Sequence, residues 1–278
     1  MGDALQGAIA EREASEAKRL AIEAQIQAAR DIQRLLLPAG DVDDQSADCR
    51  ATDAFSGVSI VAFSSPSDEI AGDFFDWFER PDGSFALVIA DVCGHGLPAA
   101  MMMAVCRTLV RRAACDAPEP HVALAQVNRD LIAQAPQTKF TTGILLYIDA
   151  DAKSVRYANA GHPSAILARR DGTTQEVMAS TGTVLGITTQ SAWTTEQVEI
   201  ASGDDLVLIS DGVTEAGPPG AHADALFGSD RAAAAVRATC RGTRGDPRLI
   251  LQGLRAAVRE WSQGHQGDDL TIITLHRK

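Results

Sequence analysis

Residues 84–96, Ser-Phe-Ala-Leu-Val-Ile-Ala-Asp-Val-Cys-Gly-His-Gly, decide how this chain is read. Ser84 to Ala90 is a nearly continuous apolar run, the pattern of a strand buried on both faces. Asp91 closes that run, and Gly94, His95 and Gly96 follow as a tight turn. Upstream, Phe74 to Glu79 reads as a second strand, turned back by Pro81, Asp82 and Gly83, so the two predict a hairpin with one buried arm. A carboxylate at the end of such an arm is well placed but costly, because an isolated charge removed from water needs a cation beside it.

The pattern repeats outward. Ser59–Phe63, Thr141–Ile148, Ser154–Ala158, Ala165–Arg169, Glu196–Ile200, Leu206–Ser210 and Leu270–Leu275 read as short strands between turn residues. Helical spacing places Leu97, Met101, Val105 and Leu109 on one face; further helices are predicted over Pro120–Gln134, Arg231–Thr239 and Leu249–Trp261. Met101 to Met103 is expected to pack in the core. Hairpin strands with helices inserted in pairs predict an α+β fold.

From about Ala4 to Leu37 the composition is that of one long helix, ended by Pro38 and Gly40. Ile22, Ile26, Ala29, Ile32 and Leu36 form a narrow apolar stripe suited to packing on the domain itself or to a dimerising, regulatory coiled coil. A strict heptad from Ile22 and Ile26 would put Gln33 in the seam. Asp41 to Gly57 is polar and acidic and reads as a linker. The expected organisation is a helical segment over 1–38, a linker over 39–57 and the main domain over 58–278.

The chain of 278 residues is 45% hydrophobic, enough for a large core, and carries a net charge of −12. That acidity, without a basic patch, argues against nucleic-acid binding. Arg107, Arg111 and Arg112, the densest cationic cluster, are expected on a solvated helix face. Five cysteines without zinc-site spacing read as reduced thiols. With no signal pattern and no run long enough to span a membrane, a soluble cytoplasmic protein is expected.

Further carboxylates sit at strand edges. Asp73 follows Gly72 and precedes Asp76 by three positions; Asp211 follows the run Leu206–Ser210; Asp268 and Asp269 precede the last strand. Singly, each reads as a turn aspartate. Together, with few basic residues nearby, they call for hard divalent ions such as Mg²⁺ or Mn²⁺.

These residues carry a resemblance. Gly72-Asp73-Phe74-Phe75-Asp76, Ala90-Asp91-Val92-Cys93-Gly94-His95-Gly96, Ser210-Asp211-Gly212-Val213-Thr214-Glu215 and Asp268-Asp269-Leu270-Thr271 resemble, in order and spacing, the motifs of metal-dependent type 2C protein phosphatases. The resemblance is to the bacterial branch of the stage II sporulation and sigma-factor-regulating phosphatases, and extends to Ile32-Gln33-Arg34-Leu35-Leu36-Leu37-Pro38 and Tyr157-Ala158-Asn159-Ala160-Gly161-His162-Pro163. It implies a four-layer α/β/β/α sandwich of two antiparallel sheets flanked by helices, preceded by the long helix. It implies two Mn²⁺ or Mg²⁺ ions bridged by Asp91, with the Val92 carbonyl on one ion and Asp211 and Asp268 on the other. Asp91 and Asp211 are the expected catalytic carboxylates, Asp73 a weaker ligand or holder of metal-bound water. Asp76, His95 and Asp269 are expected close behind the ligands, out of direct contact with an ion.

The implied activity is hydrolysis of phosphoserine or phosphothreonine on a protein, an anti-sigma-factor antagonist in a partner-switching pathway. A sensor domain is expected to be missing here or supplied by another protein. His95 and His162 read either as general acids or as structural residues of their glycine turns, and Ser210 as a turn-shaping residue. No basic residue stands in Ser64–Ile70 to hold a substrate phosphate, which leaves that task to the metals and the partner. Two rival readings are a phosphoprotein-binding module without turnover and a hydrolase of small phosphoesters.

Overall fold

A computed structural model describes the chain except residues 1, 39, 40, 44, 45, 54, 56, 69, 135–138, 150, 151 and 241–245, with backbone alone at 2–5, 7–10, 41–43 and 46–48. The predicted four layers are present. One sheet has seven strands: β1 (Asp41–Asp43), β2 (Ser46–Thr52), β3 (Val58–Ser65), β12 (Leu270–Arg277), β11 (Asp205–Ile209), β8 (Ala165–Ala168) and β9 (Thr174–Val177), in that spatial order. The other has five: β10 (Glu196–Glu199), β7 (Ser154–Ala160), β6 (Thr141–Ile148), β5 (Phe85–Val92) and β4 (Phe74–Glu79). Every strand pair is antiparallel.

Alternation along β4 shows how the layers form. Phe75 and Trp77 enter the core between the sheets with Ile60, Leu87 and Leu208. Phe74 and Phe78 point the other way, into a second core with helices α2 (Gly96–Asp116) and α3 (Pro120–Gln134). A third core joins the larger sheet to α5 (Gly228–Cys240) and α6 (Pro247–Trp261) through Phe63, Val207, Ile250 and Leu254. Helix α6 starts where expected for a capped helix: the Asp246 carboxylate accepts the Arg248 N–H at 2.9 Å, and Pro247 occupies the first turn.

Three expectations are corrected. The stretch Asp41–Gly57, read as a linker, carries β1 and β2, which pair with each other and through β2 with β3; residues 39, 40, 44, 45, 54 and 56 of that stretch lie outside the described residues. The face of α2 bearing Leu97, Met101 and Val105 is turned outward, with Met101 65% exposed. Small residues, Ala99, Ala100, Cys106, Ala113 and Ala114, bury the opposite face with Met103 and Val110, so the helix lies close on the sheet and the larger side chains stay outside. Of the methionine run only Met103 is fully in the core.

The third correction concerns Arg107, expected in solvent. Its guanidinium is buried and pairs with Asp76 at 2.9 Å, while Arg111 pairs with the same carboxylate at 2.8 Å. Burial raises the Asp76 pKa against the opposing pull of Arg107 and Arg111, and the two pairs tie α2 to β4.

The first helix, α1 (Gly2–Leu36), is exposed from Glu11 to Gln25 and meets the body only near its end. Ile26, Ala29 and Leu36 are half-buried, whereas Ile22 and Ile32 are exposed, so the predicted stripe divides between the body and solvent. Leu36 packs in the core under α2 and its neighbour Leu37 in the core between the sheets. No helix among the described residues is long and apolar enough to cross a membrane.

Arg107→Ala is expected to lower stability by roughly 2 kcal/mol in urea unfolding, because it leaves a buried carboxylate to Arg111 alone. Adding Asp76→Asn should restore part of that loss; equal stability of wild type and Arg107→Ala would show that the pair does not hold α2.

Candidate metal centre

The site forms where strand ends from both sheets meet. Phe74 pairs with Ala90, which sets Asp73 beside Asp91 at one end of the smaller sheet. In the larger sheet Ile209 pairs with Ile272, and the Ser210 N–H donates to the Thr271 carbonyl at 2.9 Å, bringing Asp211 alongside Asp268 and Asp269. The two groups face each other across the layers and feel each other's charge. Burial first, then Asp211, Asp268, Asp269 and Glu215, push the Asp91 carboxyl up to about 7. Burial, Asp268 and Glu215 push Asp211 to about 6.

Asp73 is the most extreme. Both of its carboxylate oxygens are buried and have no hydrogen-bond partner. Burial raises its pKa well above the usual carboxylate range, and Asp91 and Asp269 add to the shift, against a smaller opposing pull from the hydroxyls of Thr271 and Ser210.

Asp269 does different work. One of its oxygens accepts the Ser67 N–H at 2.8 Å and the Ser67 hydroxyl at 3.1 Å; the other accepts the N–H of Gly72 at 2.6 Å and of Asp73 at 3.4 Å. Its carboxylate is committed to the backbone of the loop that carries Asp73. Two glycines allow this crowding. A Cβ at Gly72 would stand 2.8 Å from the Val92 carbonyl and 3.4 Å from Asp91 Oδ1, and one at Gly212 would stand 2.0 Å from the Asp269 carbonyl. Ser210 shapes the turn as expected: its hydroxyl donates to the Asp269 carbonyl at 3.2 Å and accepts the Thr271 N–H at 2.9 Å.

Not every predicted residue joins the group. Asp76 belongs to the arginine pairs under α2. His95 is 87% exposed, 3.7 Å from Asp68. His162 is buried; its Nδ1 lies 2.9 Å from the Thr142 hydroxyl, and Asn159 brackets its backbone by accepting the His162 N–H and donating to its carbonyl. Burial lowers the His162 pKa to about 3, which keeps the ring neutral near pH 7, and its Nε2 is buried without a hydrogen-bond partner.

Thr214 and Glu215, which the sequence sets close behind Asp211 as candidates to line the pocket, both do so, and Glu215 also adds charge. It repels both Asp91 and Asp211, and it lines two cavities flanking the centre, of about 540 and 230 Å³. The larger also contains Thr142, His162, Ser164 and Asp211, and no lysine or arginine lines either.

Among the described residues no three acidic, histidine or cysteine side chains are already gathered into a metal-holding group. What stands there is a set of mutually repelling anions, one of them with both oxygens unsatisfied, and that pattern is relieved by a divalent ion. The donors are carboxylate and carbonyl oxygens, which suit Mg²⁺ or Mn²⁺. Asp73, Asp91, Asp211, Asp268 and the Val92 carbonyl are the residues that would hold them.

Two antiparallel sheets between helix pairs, with carboxylates at one end, define a PP2C-like fold. The SiaA-PP2C domain of Pseudomonas aeruginosa superposes with a TM-score of 0.74 at 22% identity, covering 94% of this chain and 99% of that one. RsbX, solved in complex with magnesium, gives 0.59 at 16% identity, covering 83% and 100%. The chain belongs to the Stage II sporulation protein E family, whose pattern matches residues 81–278. It is similar to the phosphoserine phosphatase RsbU of Bacillus subtilis, 32% identical over 163 residues, 57% of this chain and 47% of RsbU. The chain spans less than half the length of the curated relatives it matches.

The raised carboxyl values set a pH dependence. Asp91 and Asp211 bind protons more tightly folded than unfolded, so their contribution to stability is fully present below about pH 4 and is lost as pH rises toward about 7. In EDTA, wild type should therefore lose more melting temperature between pH 5 and 7.5 than Asp91→Asn. Added Mn²⁺ should restore the wild type more at pH 7.5 than at pH 5. Parallel curves for the two proteins would count against a strained carboxylate cluster.

Proposed function

We propose that this chain is a protein serine/threonine phosphatase that hydrolyses phosphoserine or phosphothreonine on a protein with the help of two Mn²⁺ or Mg²⁺ ions. The observation that carries the reading is the meeting of Asp73, Asp91, Asp211 and Asp268 at one end of the sandwich, where burial and mutual repulsion leave anionic oxygens in need of cations. Ions bound there supply an activated water and stabilise charge on the phosphoryl oxygens. The protein's own residues do the rest. Asp91 and Asp211 would hold the ions, Asp269 holds the Asp73 loop, and the two flanking cavities admit the peptide on either side of the phosphorylated residue.

Substrate class and partner follow from the same features. The cavities lack a cationic side chain to hold a small phosphate alone, so recognition falls to the metals and to the protein around the phosphoserine. With relatives such as RsbU, an anti-sigma-factor antagonist in a partner-switching pathway is the substrate we favour, in the cytoplasm. The exposed apolar residues Ile22, Ile32 and Leu35 of α1 and Leu97, Met101 and Val105 of α2 suit contact with a second copy, a sensor domain or an activator protein. In this reading α1 is the regulatory helix, and 58–278 with the β1–β2 edge is the phosphatase domain.

Phosphate release from a phosphoserine-bearing anti-sigma-factor antagonist, with Mn²⁺ and with EDTA, tests the reading. Release is expected only with metal, to fall about a hundredfold or more in Asp91→Asn and Asp211→Asn, and to exceed that from p-nitrophenyl phosphate. Tight binding of the phosphoprotein without release, in the presence of bound Mn²⁺, would favour a binding module.

A further inference from the structure

Beside the smaller of the two flanking cavities lies a third, of about 490 Å³, an ordinary size for a ligand site. The two share Gly212, Ala216, His265 and Gly267, and Asp268 lines the smaller but not the third. Their charges differ. Arg255 and Arg259 of α6 stand in the wall of the third cavity and, among the described residues, no aspartate or glutamate does. Glu176, Asp211 and Glu215 line the largest cavity, and Glu215 and Asp268 the smallest. In a chain with a net charge of −12, a recess that gathers two guanidinium groups and holds no acid is set apart electrostatically from the two beside it.

The recess is held in shape by its own residues. Arg255 and Arg259 lie one helical turn apart on the same side of α6. The Arg255 guanidinium stacks over the Phe63 ring at 3.4 Å, which fixes its plane. Phe63, Val258 and Leu270 are buried and form an apolar floor. Past the end of α6 the chain doubles back: the Gly264 N–H donates to the Arg259 carbonyl at 2.9 Å, with Gly264 in the left-handed conformation at φ +80°. Gln266 ties the returning segment down, its amide donating to the carbonyls of Ser65 at 2.8 Å and Asp268 at 3.1 Å. The segment that walls the recess therefore runs directly into the acidic end of the sandwich. Two like charges a turn apart repel, and a carboxylate set between them relieves that repulsion with charge-assisted hydrogen bonds.

We propose that this cavity receives an aspartate or glutamate side chain of the substrate protein, a few residues along the chain from the phosphorylated serine, with Arg255 and Arg259 selecting for its charge. The proposal rests on the phosphatase reading above and adds what surrounds the phosphoserine: an acidic segment. With the phosphoserine at the carboxylates, an extended chain at about 3.3 Å per residue crosses the smaller cavity in roughly two to four residues. The acidic centre repels such a segment in general, so an arginine-lined recess next to it turns that repulsion into a requirement for where the acid sits.

Two peptides of roughly fifteen extended residues test this, identical except that one has glutamate and the other lysine at the second to fifth positions on both sides of a central phosphoserine. For binding, the phosphoserine is replaced by its phosphonate analogue, which is not hydrolysed, and fluorescence anisotropy is read on the full chain with Mn²⁺. Wild type should hold the glutamate peptide roughly tenfold more tightly than the lysine peptide at low salt, and the preference should shrink as salt rises. Arg259→Glu, on an exposed turn of α6, should lose or reverse that preference, and Arg259→Lys should keep most of it. Arg237→Glu, the same change of charge on the exposed surface of α5, should match wild type. With the hydrolysable peptides, the loss in Arg259→Glu should fall on KM more than on kcat. Equal binding of the two peptides by wild type, tighter binding of the lysine peptide, or a glutamate preference that survives in Arg259→Glu would overturn the proposal and leave the phosphatase reading standing. Absence of metal-dependent phosphate release from both hydrolysable peptides and from p-nitrophenyl phosphate would overturn that reading, and the substrate assigned to the cavity with it.

Discussion

The arrangement depends on the carboxylate of Asp269. It stands just before β12, in the middle of the larger sheet, and receives backbone N–H groups from the loop that leaves β3 and crosses to β4 in the smaller sheet. A crossing loop carries polar groups that neither sheet can satisfy, and at its buried end, from Ile70 to Asp73, water does not reach them. One carboxylate satisfies several at once and fixes where the chain enters β4. Asp73 and, through the β4–β5 register, Asp91 inherit their positions from it. Gly72 and Gly212 are small because the backbones of the two sheets come together here with no room for a side chain.

The distribution of cations follows the same division. Arg107 and Arg111 neutralise Asp76 under α2, and Arg80, buried, caps the end of α2 through the carbonyls of Ala114 and Ala117. These arginines assemble the helical layer on the smaller sheet. None is directed at Asp73, Asp91 or Asp211, where the shifts come from burial and from other acids. A fold able to bury arginine beside aspartate in one place leaves aspartates without it in another, and in the metal reading proposed above ions from outside would supply the missing charge. Any ligand that binds the folded form and not the unfolded one adds to stability, so ions bound there would couple the folding of this end to the supply of metal.

Much of this was legible in the chain. The run Phe85–Ala90 is buried on both faces in the structure because both sides of β5 are covered, by the other sheet and by α2, and such strands announce themselves as continuous apolar sequence. The acidic ends were legible for the same reason, since each follows or precedes an apolar run. Edge strands were not: β1, β2 and β9 lie at the margins of the larger sheet, and polar sequences such as Thr174–Val177 have no alternation to reveal them. Nor was the inward face of α2, because an alanine face looks neutral beside one bearing Leu97 and Met101. The partner of Arg107 was hidden by distance along the chain, and the ring of His162 by the absence of any local sign of its burial. Gln33 did leave a signal, as the polar residue interrupting an apolar seam.

The long helix poses the remaining physical question. A helix exposed from Glu11 to Gln25 draws little tertiary support there, and helices in water owe most of their stability to packing. What α1 does have is concentrated at its end, where consecutive leucines enter the cores on opposite faces of the smaller sheet and Gln33 bonds to the Asp73 loop. Beta4 is the edge of that sheet, so α1 closes the rim at the point where the loop enters. The support for α1 is thus gathered at one rim, within two residues of Asp73, both of whose carboxylate oxygens lack a hydrogen-bond partner.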